Sequence, residues 1–216
     1  MKTVNTLNIA VLGANGGIGR QTVEIALKAG HHVTAILRTP ANLDLKHPNL
    51  QIVKGDVMNP ETLEKHLANK DAVISAIGQT SFKSTILYSQ GNKNMIDVMK
   101  KMGTTRAFFI SASGLDVNPT HSFIVRFATK YILQKLLKNM YADLEVMESM
   151  IKKSDINWTI MRPPKLTDKP VTGNYRIALD KMLNNGLSIS RADVGHFMIN
   201  NIDNESIFKK TVEIAY

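Results

Sequence analysis

The run Gly13-Ala14-Asn15-Gly16-Gly17-Ile18-Gly19 constrains this chain more than any other stretch. It joins an apolar segment, Leu7–Leu12, directly to an amphipathic one, Ile18–Ala29. In the amphipathic segment Val23, Ala26 and Leu27 fall at i, i+3 and i+4, so one helical stripe faces a neighbouring layer. A strand that turns abruptly into a helix needs glycines where the backbone doubles back. The first turn of that helix then leaves amides and a positive dipole end open to an anion. The spacing is Gly-x-x-Gly-x-x-Gly with Gly17 in addition, rather than the commonest dinucleotide fingerprint. Alone, such a turn serves equally as a structural joint; its place between a strand and a helix points to a pyrophosphate.

The rest of the chain repeats this alternation. Leu7–Leu12, His32–Leu37, Gln51–Lys54, Ala72–Ile77, Ala107–Ser111 and Trp158–Met161 read as strands. Between them lie helical stretches at Ile18–Ala29, Glu61–Ala68, Tyr88–Met102 and within Phe123–Lys153, and Asn59-Pro60 offers a cap and first helical residue for the second. Alternating strands and helices predict an α/β fold, a Rossmann-type doubly wound parallel sheet with right-handed crossovers. Pro163-Pro164 and Asp168-Lys169-Pro170 bracket an irregular segment, followed by a short strand at Tyr175–Leu179 and a helix from about Arg191 to Asn200. Ser190 and Asp193 form its cap. With 216 residues and no repeat or linker, residues 1–216 read as a single domain in which about 163–216 form a small C-terminal lobe over the sheet edge.

Composition narrows the chemistry. The chain has no cysteine, which excludes disulfides, thiolate nucleophiles and cysteine-based metal centres, and accords with a reducing cytoplasm. Its histidines form no metal pattern, so no metal is expected; His31 reads as solvent-facing and His196 as structural. No run is apolar enough to cross a bilayer, and the N-terminal stretch suits a first core strand better than a signal peptide, so a soluble, cytoplasmic protein is expected. The net charge of +9 favours anionic partners. Nucleic acid has no matching motif, and a phosphorylated cofactor does.

The end of the second strand separates the two nicotinamide cofactors. NAD sites usually present a carboxylate there to the ribose, whereas this chain has Leu37-Arg38-Thr39. Arg38 either pairs with a 2′-phosphate, with Thr39 or Asn42 beside it, or serves as an exposed solubilising arginine; the first reading predicts NADP(H). Gly55-Asp56-Val57 follows the third strand, where Asp56 accepts from the adenine amino group or caps a loop. Small residues in Ser75-Ala76-Ile77-Gly78 let a cofactor lie against the backbone.

Together Gly13 to Gly19, Val33 to Arg38, Gly55-Asp56-Val57, Asp71-Ala72-Val73-Ile74, Gly91 to Lys100, Pro163-Pro164, Asp168 to Tyr175 and Asp193-Val194-Gly195-His196-Phe197-Met198 carry a resemblance over nearly the whole chain. It resembles the atypical short-chain dehydrogenase/reductase superfamily, in its NAD(P)-binding, NmrA-like branch. The resemblance implies NADP(H) bound along Gly13, Asn15, Gly16, Gly17, Ile18, Arg38, Asp56, Val57, Ile77, Gly78 and Ser111. Members of this branch reduce flavins or tetrapyrroles by hydride transfer, and others bind the dinucleotide as redox sensors with little catalysis.

The superfamily's usual acid is a Tyr-x-x-x-Lys pair, in which lysine lowers the tyrosine pKa. Its positions here are Met140 and Leu144, with Tyr141 and Glu145 one residue out of phase. That departure argues against alcohol dehydrogenation and leaves hydride transfer to a conjugated acceptor open. Tyr141 reads as a core or interface aromatic, and Met140, Met147 and Met150 as a packed seam. Catalytic candidates are Ser111 and Ser113, which flank the position of a family serine, and Lys165, which replaces a family histidine after Pro-Pro. Each has a plain alternative: the serines satisfying backbone groups, the lysine lying in solvent. Phe123–Lys138 is more apolar than one stripe requires, with Arg126, Lys130 and Lys138 on a basic side. It reads as a contact with a partner subunit or the roof of the substrate site, or else as a membrane-surface helix. The expected function is NADPH-dependent reduction of a planar conjugated acceptor such as a flavin, quinone or tetrapyrrole. The alternative is an NADP(H)-binding redox sensor.

Overall fold

The computed structural model describes residues 5–79 and 83–216. The first half runs β1 (Asn8–Leu12), α1 (Gly17–Lys28), β2 (His32–Leu37), β3 (Leu50–Lys54), α2 (Glu64–Leu67), β4 (Ala72–Ser75), α3 (Leu87–Met102) and β5 (Arg106–Ile110). The second continues with α4 (Phe123–Ala128), α5 (Gln134–Leu136), α6 (Lys138–Lys152), β6 (Asn157–Arg162), β7 (Lys165–Thr167), β8 (Arg176–Leu179), β9 (Ser188–Ser190), α7 (Arg191–Asn200) and β10 (Lys210–Ala215). The main sheet has eight strands in the order β3-β2-β1-β4-β5-β6-β10-β8, and β7 pairs with β9 separately. The order reverses between β1 and β4, where Leu12 pairs with Ser75, and a crevice opens at such a reversal.

Alternate residues of each strand feed two cores. Ile9, Val11, Ala35, Phe108 and Met161 pack with α1 and α7 through Val23, Val194 and Phe197. Ala10, Leu12, Ile36, Phe109 and Ile160 pack on the other face with α3 and α6 through Met95, Met99, Met147 and Ile151. Both faces are therefore buried, as a doubly wound sheet requires. Helix α3 is held at its start by Asp143 of α6, whose carboxylate accepts from the Tyr88 amide at 2.8 Å and the Ser89 amide at 3.2 Å.

The structure departs from the sequence expectation in several places. The sheet is not wholly parallel, because β8 runs antiparallel to β10. Strands β7, β9 and β10 were not anticipated; the first two have three residues each. The helix expected over Glu61–Ala68 is a 3₁₀ turn at Pro60–Thr62 followed by one short turn. The long helix within Phe123–Lys153 is interrupted by a π turn at Thr129–Leu133 and again at Leu137. His31 is buried rather than solvent-facing, and its Nδ1 accepts from the Leu7 amide at 3.2 Å. Burial, opposed by Asp203, lowers its pKa.

Arg106 closes the far side of the sheet. Its guanidinium donates to the carbonyl oxygens of Ile202 and Asn157, each at 2.8 Å, and to Thr159 Oγ1 at 2.8 Å. It also lies between the rings of Phe108 and Phe208, 4.0 and 4.5 Å from their centroids. Burial, opposed by Asp203, lowers its pKa to about 9.

Two glycines of the first turn allow the strand–helix joint to close. Gly13 has φ +74°, and a Cβ there would sit 2.4 Å from the Ala76 carbonyl oxygen. A Cβ on Gly19 would sit 2.2 Å from the Gly13 carbonyl oxygen. Because that neighbour is backbone, Gly19→Ala should cost about 3 kcal/mol of stability, the upper end for overpacking. Urea unfolding should show a lower midpoint with an unchanged slope, and an unchanged midpoint would mean that the joint yields freely.

Candidate functional site

The turn after β1 delivers Gly16 as the N-cap of α1. It has no side chain to cap the first-turn amides, and that turn carries no acidic residue. The positive end of the helix is therefore open at the switch point of the sheet. Gly17 is overlain by Arg191, the first residue of α7: a Cβ on Gly17 would meet Arg191 Cδ at 2.3 Å and Nε at 2.5 Å. Arg191 is tethered to Asp168 at 2.7 Å, but that carboxylate is 88% exposed, so the pair is weak.

A cleft of about 90 Å³ runs along the C-terminal ends of β1 to β4, lined by Gly13, Asn15, Arg38, Asp56, Val57, Ile77 and Gly78 among others. A contiguous hollow is bounded by Asn15, Leu37, Arg38, Thr39 and Asn42. Arg38 is exposed and makes no hydrogen bond or ion pair with the described residues, so its guanidinium faces that hollow uncommitted. Asp56 has one oxygen occupied, Oδ1 accepting from the Met58 amide at 3.0 Å, while Thr62 Oγ1 accepts from the Asp56 amide at 2.9 Å. The loop-capping and ligand-facing readings of Asp56 thus coexist, with Oδ2 left over. Val57 is buried against Gly91, and its carbonyl accepts from Asn94 at 2.8 Å.

A second cavity, of about 550 Å³, lies beyond Arg191. That volume suits a drug-sized ligand. Its walls are Ala112, Ser113 and Gly114 after β5, Pro163 to Leu166 after β6, Leu187, and the inner side of α4 to α6 through Val125, Thr129, Leu133, Leu137, Met140 and Tyr141. Ser113 and Lys165 border it, and neither side chain is bonded to the described residues. Tyr141 is core as expected, yet it also borders the cavity. Burial pushes its phenol up, and no lysine stands four residues on to bring it down.

The sequence reading missed two polar groups of this cavity. His121 lines it, and its Nε2 is buried with no hydrogen-bond partner among the described residues. Arg191 lines the cavity and covers Gly17, so one cation touches both halves of the site. Arg191 was named only as the approximate start of the last helix, and nothing in the pattern around His121 singled it out.

Ser111 belongs to neither lining. It is buried, and its hydroxyl donates to Glu148 Oε1 at 2.7 Å. Glu148 also accepts from Arg162 Nε at 2.8 Å, Arg162 Nη2 at 2.7 Å and Lys152 at 2.9 Å. Arg162 donates in turn to Asp116 at 2.7 Å. Burial pushes the Glu148 carboxyl up, but the bonds and charge of Arg162, with Ser111 and Lys152, outweigh it and hold the pKa below the ordinary value. This network ties α6 to the ends of β5 and β6, and so fixes the cavity floor. His196 is engaged structurally, its Nδ1 2.9 Å from the Tyr175 hydroxyl.

Comparison with known proteins agrees with this layout. The model of the NAD(P)H-binding family matches residues 13–205. An uncharacterized chloroplastic protein of Arabidopsis thaliana is 32% identical over 228 residues, covering 98% of this chain and 78% of that protein. The phenylcoumaran benzylic ether reductase PT1 of Pinus taeda is 24% identical over 225 residues, covering 94% of this chain and 67% of that enzyme. Among solved structures, the anaerobillin reductase ChuY of Escherichia coli O157:H7 superimposes with a TM-score of 0.78 at 19% identity, covering 96% of each chain.

The Glu148 network gives the site a pH signature. A carboxylate whose folded pKa is depressed contributes stability above its unfolded pKa and loses it as pH falls through the folded one. Unfolding midpoints should therefore drop on the acid side, and Glu148→Gln should flatten that limb. Glu148→Leu should cost about 3 kcal/mol at neutral pH, since it strands Arg162. An acid limb identical in the Gln variant would assign the pH dependence elsewhere.

Proposed function

The chain belongs to the NAD(P)H-binding family, and on that premise we propose that it is an NADPH-dependent reductase of a planar conjugated acceptor, of flavin, quinone or tetrapyrrole type. The observation that carries this reading is the cavity set directly beside the glycine turn, with Arg191 shared between the two. Within the family we read the chain as nearest to biliverdin reductase B, the NADPH-dependent flavin reductase, on the Pro163-Pro164 and Gly195-His196-Phe197-Met198 strings.

The residues present fit the cofactor. Open amides at the start of α1 and the guanidinium over Gly17 suit a pyrophosphate, and the free Arg38 in its hollow suits a 2′-phosphate. The spare oxygen of Asp56 suits the adenine amino group. When bound, NADPH supplies a hydride; with one proton it yields NADP⁺ and an acceptor carrying two more hydrogens. The chain's own part is to hold the acceptor between the apolar walls of Leu133, Leu137 and Met140 and to keep water out. His121 and the Ser113 hydroxyl line the cavity and are the polar contacts for the acceptor's edge. Tyr141 forms a wall, because its raised pKa makes it a poor proton donor.

Calorimetric titration separates the roles. Arg38→Ala should weaken NADPH by about 2–3 kcal/mol, roughly thirty- to a hundred-and-fiftyfold, and leave NADH nearly unchanged. Arg191→Ala should weaken both alike. Equal losses for Arg38→Ala would mean that it supports the loop. His121→Phe should lower kcat/KM about tenfold with NADPH affinity intact. A protein that binds NADPH but oxidises it with no flavin or quinone is not this reductase.

A further inference from the structure

Residues 123–138 carry an outward face that the reductase reading leaves unused. Phe123 and Ile124 are each 78% exposed and Ile132 is 60%, and Phe127, Tyr131 and Leu136 are exposed beside them. The aromatic members form a row, with ring centroids 6.3 Å apart for Phe123–Phe127 and 4.8 Å for Phe127–Tyr131. Scattered apolar residues on a surface mean little, but a continuous band of this length marks a contact.

The backbone keeps this face in register. An α-helix advances about 100° per residue, so the four-residue steps Val125–Thr129–Leu133–Leu137 would drift by about 120°. The π turn at Thr129–Leu133 accommodates one extra residue and takes back most of that drift. The inner row therefore stays on the cavity for its whole length, and the outer apolar row stays on the surface. By the same count Arg126, Lys130 and Lys138 fall on one flank of the outer row, and Lys135 within it. None of the four is ion-paired among the described residues, and residues 117–142 contain no Asp or Glu.

We propose that residues 123–138 dock the protein on an anionic lipid surface, and that the cavity they roof draws its acceptor from the lipid. The second half rests on the reductase reading above. Charge decides the occupant. In a two-fold dimer the patch would meet itself, setting these cations against one another with no acid between them. An anionic bilayer neutralises them, accepts the aromatic and aliphatic row at its interface, and lets the lysine stems lie along it.

Flotation with vesicles of phosphatidylcholine, with and without phosphatidylglycerol, tests the docking. Binding should appear with phosphatidylglycerol and weaken as salt rises. Phe123→Asp/Phe127→Asp should reduce it at least tenfold while NADPH affinity stays unchanged, which also reports on folding. No binding to the anionic vesicles overturns the docking. So does a wild-type dimer in sedimentation that the same substitutions dissociate, which would assign the face to a second copy. The source of acceptor is read from NADPH oxidation with a long-chain quinone in the vesicles and with a short, water-soluble one. The double variant should lose the first rate and keep the second. Vesicle binding with neither quinone reduced removes the lipid source of the acceptor and leaves the docking; reduction of the soluble quinone without vesicle binding overturns the docking and leaves the reductase reading.

Discussion

Everything at the nucleotide end depends on backbone meeting backbone. The turn after β1 folds so tightly that the carbonyl of Ala76 and that of Gly13 occupy space where side chains on Gly13 and Gly19 would lie. This closeness aims α1 at the switch point between β1 and β4 and leaves its first-turn amides uncapped. A looser joint would move the helix away and fill the crevice with side chain. The cleft, the hollow at Arg38 and the position of Arg191 over Gly17 all take their reference from that joint.

The site is built in two chemically different halves. The cleft is formed at strand ends, by glycines and aliphatic side chains with Asn15, Arg38 and Asp56 as its polar groups. The cavity is walled largely by residues from the irregular stretches after β5 and β6 and from the helices α4 to α6. The first half suits a ligand whose shape does not vary, and the second suits variation in what is bound. Arg191 is the joint between them, which makes it more than a helix-start residue. The Ser111–Glu148–Arg162 network stiffens the boundary without entering either half.

Some of this was legible from the chain alone, and the physical reason is uniform. His32–Leu37 was read to the residue because its interior is apolar on both faces save for Thr34, the signature of a central parallel strand. The turn was read because glycines between a strand and a helix have few other uses. Strand β10 was hidden because Glu213 interrupts it, and that carboxylate is accommodated by the amide of Leu183, thirty positions away. His31 was misplaced because only the fold brings the Leu7 amide to it. Ser111, expected along the cofactor, is bonded to Glu148 of α6, a pairing no local pattern encodes. His121 sits in a stretch without periodicity, and its orphaned nitrogen exists only once the cavity walls are assembled.

The π turn at Thr129–Leu133 has a consequence for how this segment tolerates change in its length. Substitutions on its outer row alter surface chemistry and leave the cavity as it is. Loss of one residue from the turn would restore plain helical winding and leave everything beyond it on nearly the face it already has, since the turn absorbs that residue's rotation of about 100°. Leu133 and Leu137 would then stay on the cavity, whereas plain winding with the full residue count would turn them away from it and bring outward-facing residues in. Across relatives a one-residue gap within the turn should therefore be tolerated, while gaps of other sizes should fall outside this stretch.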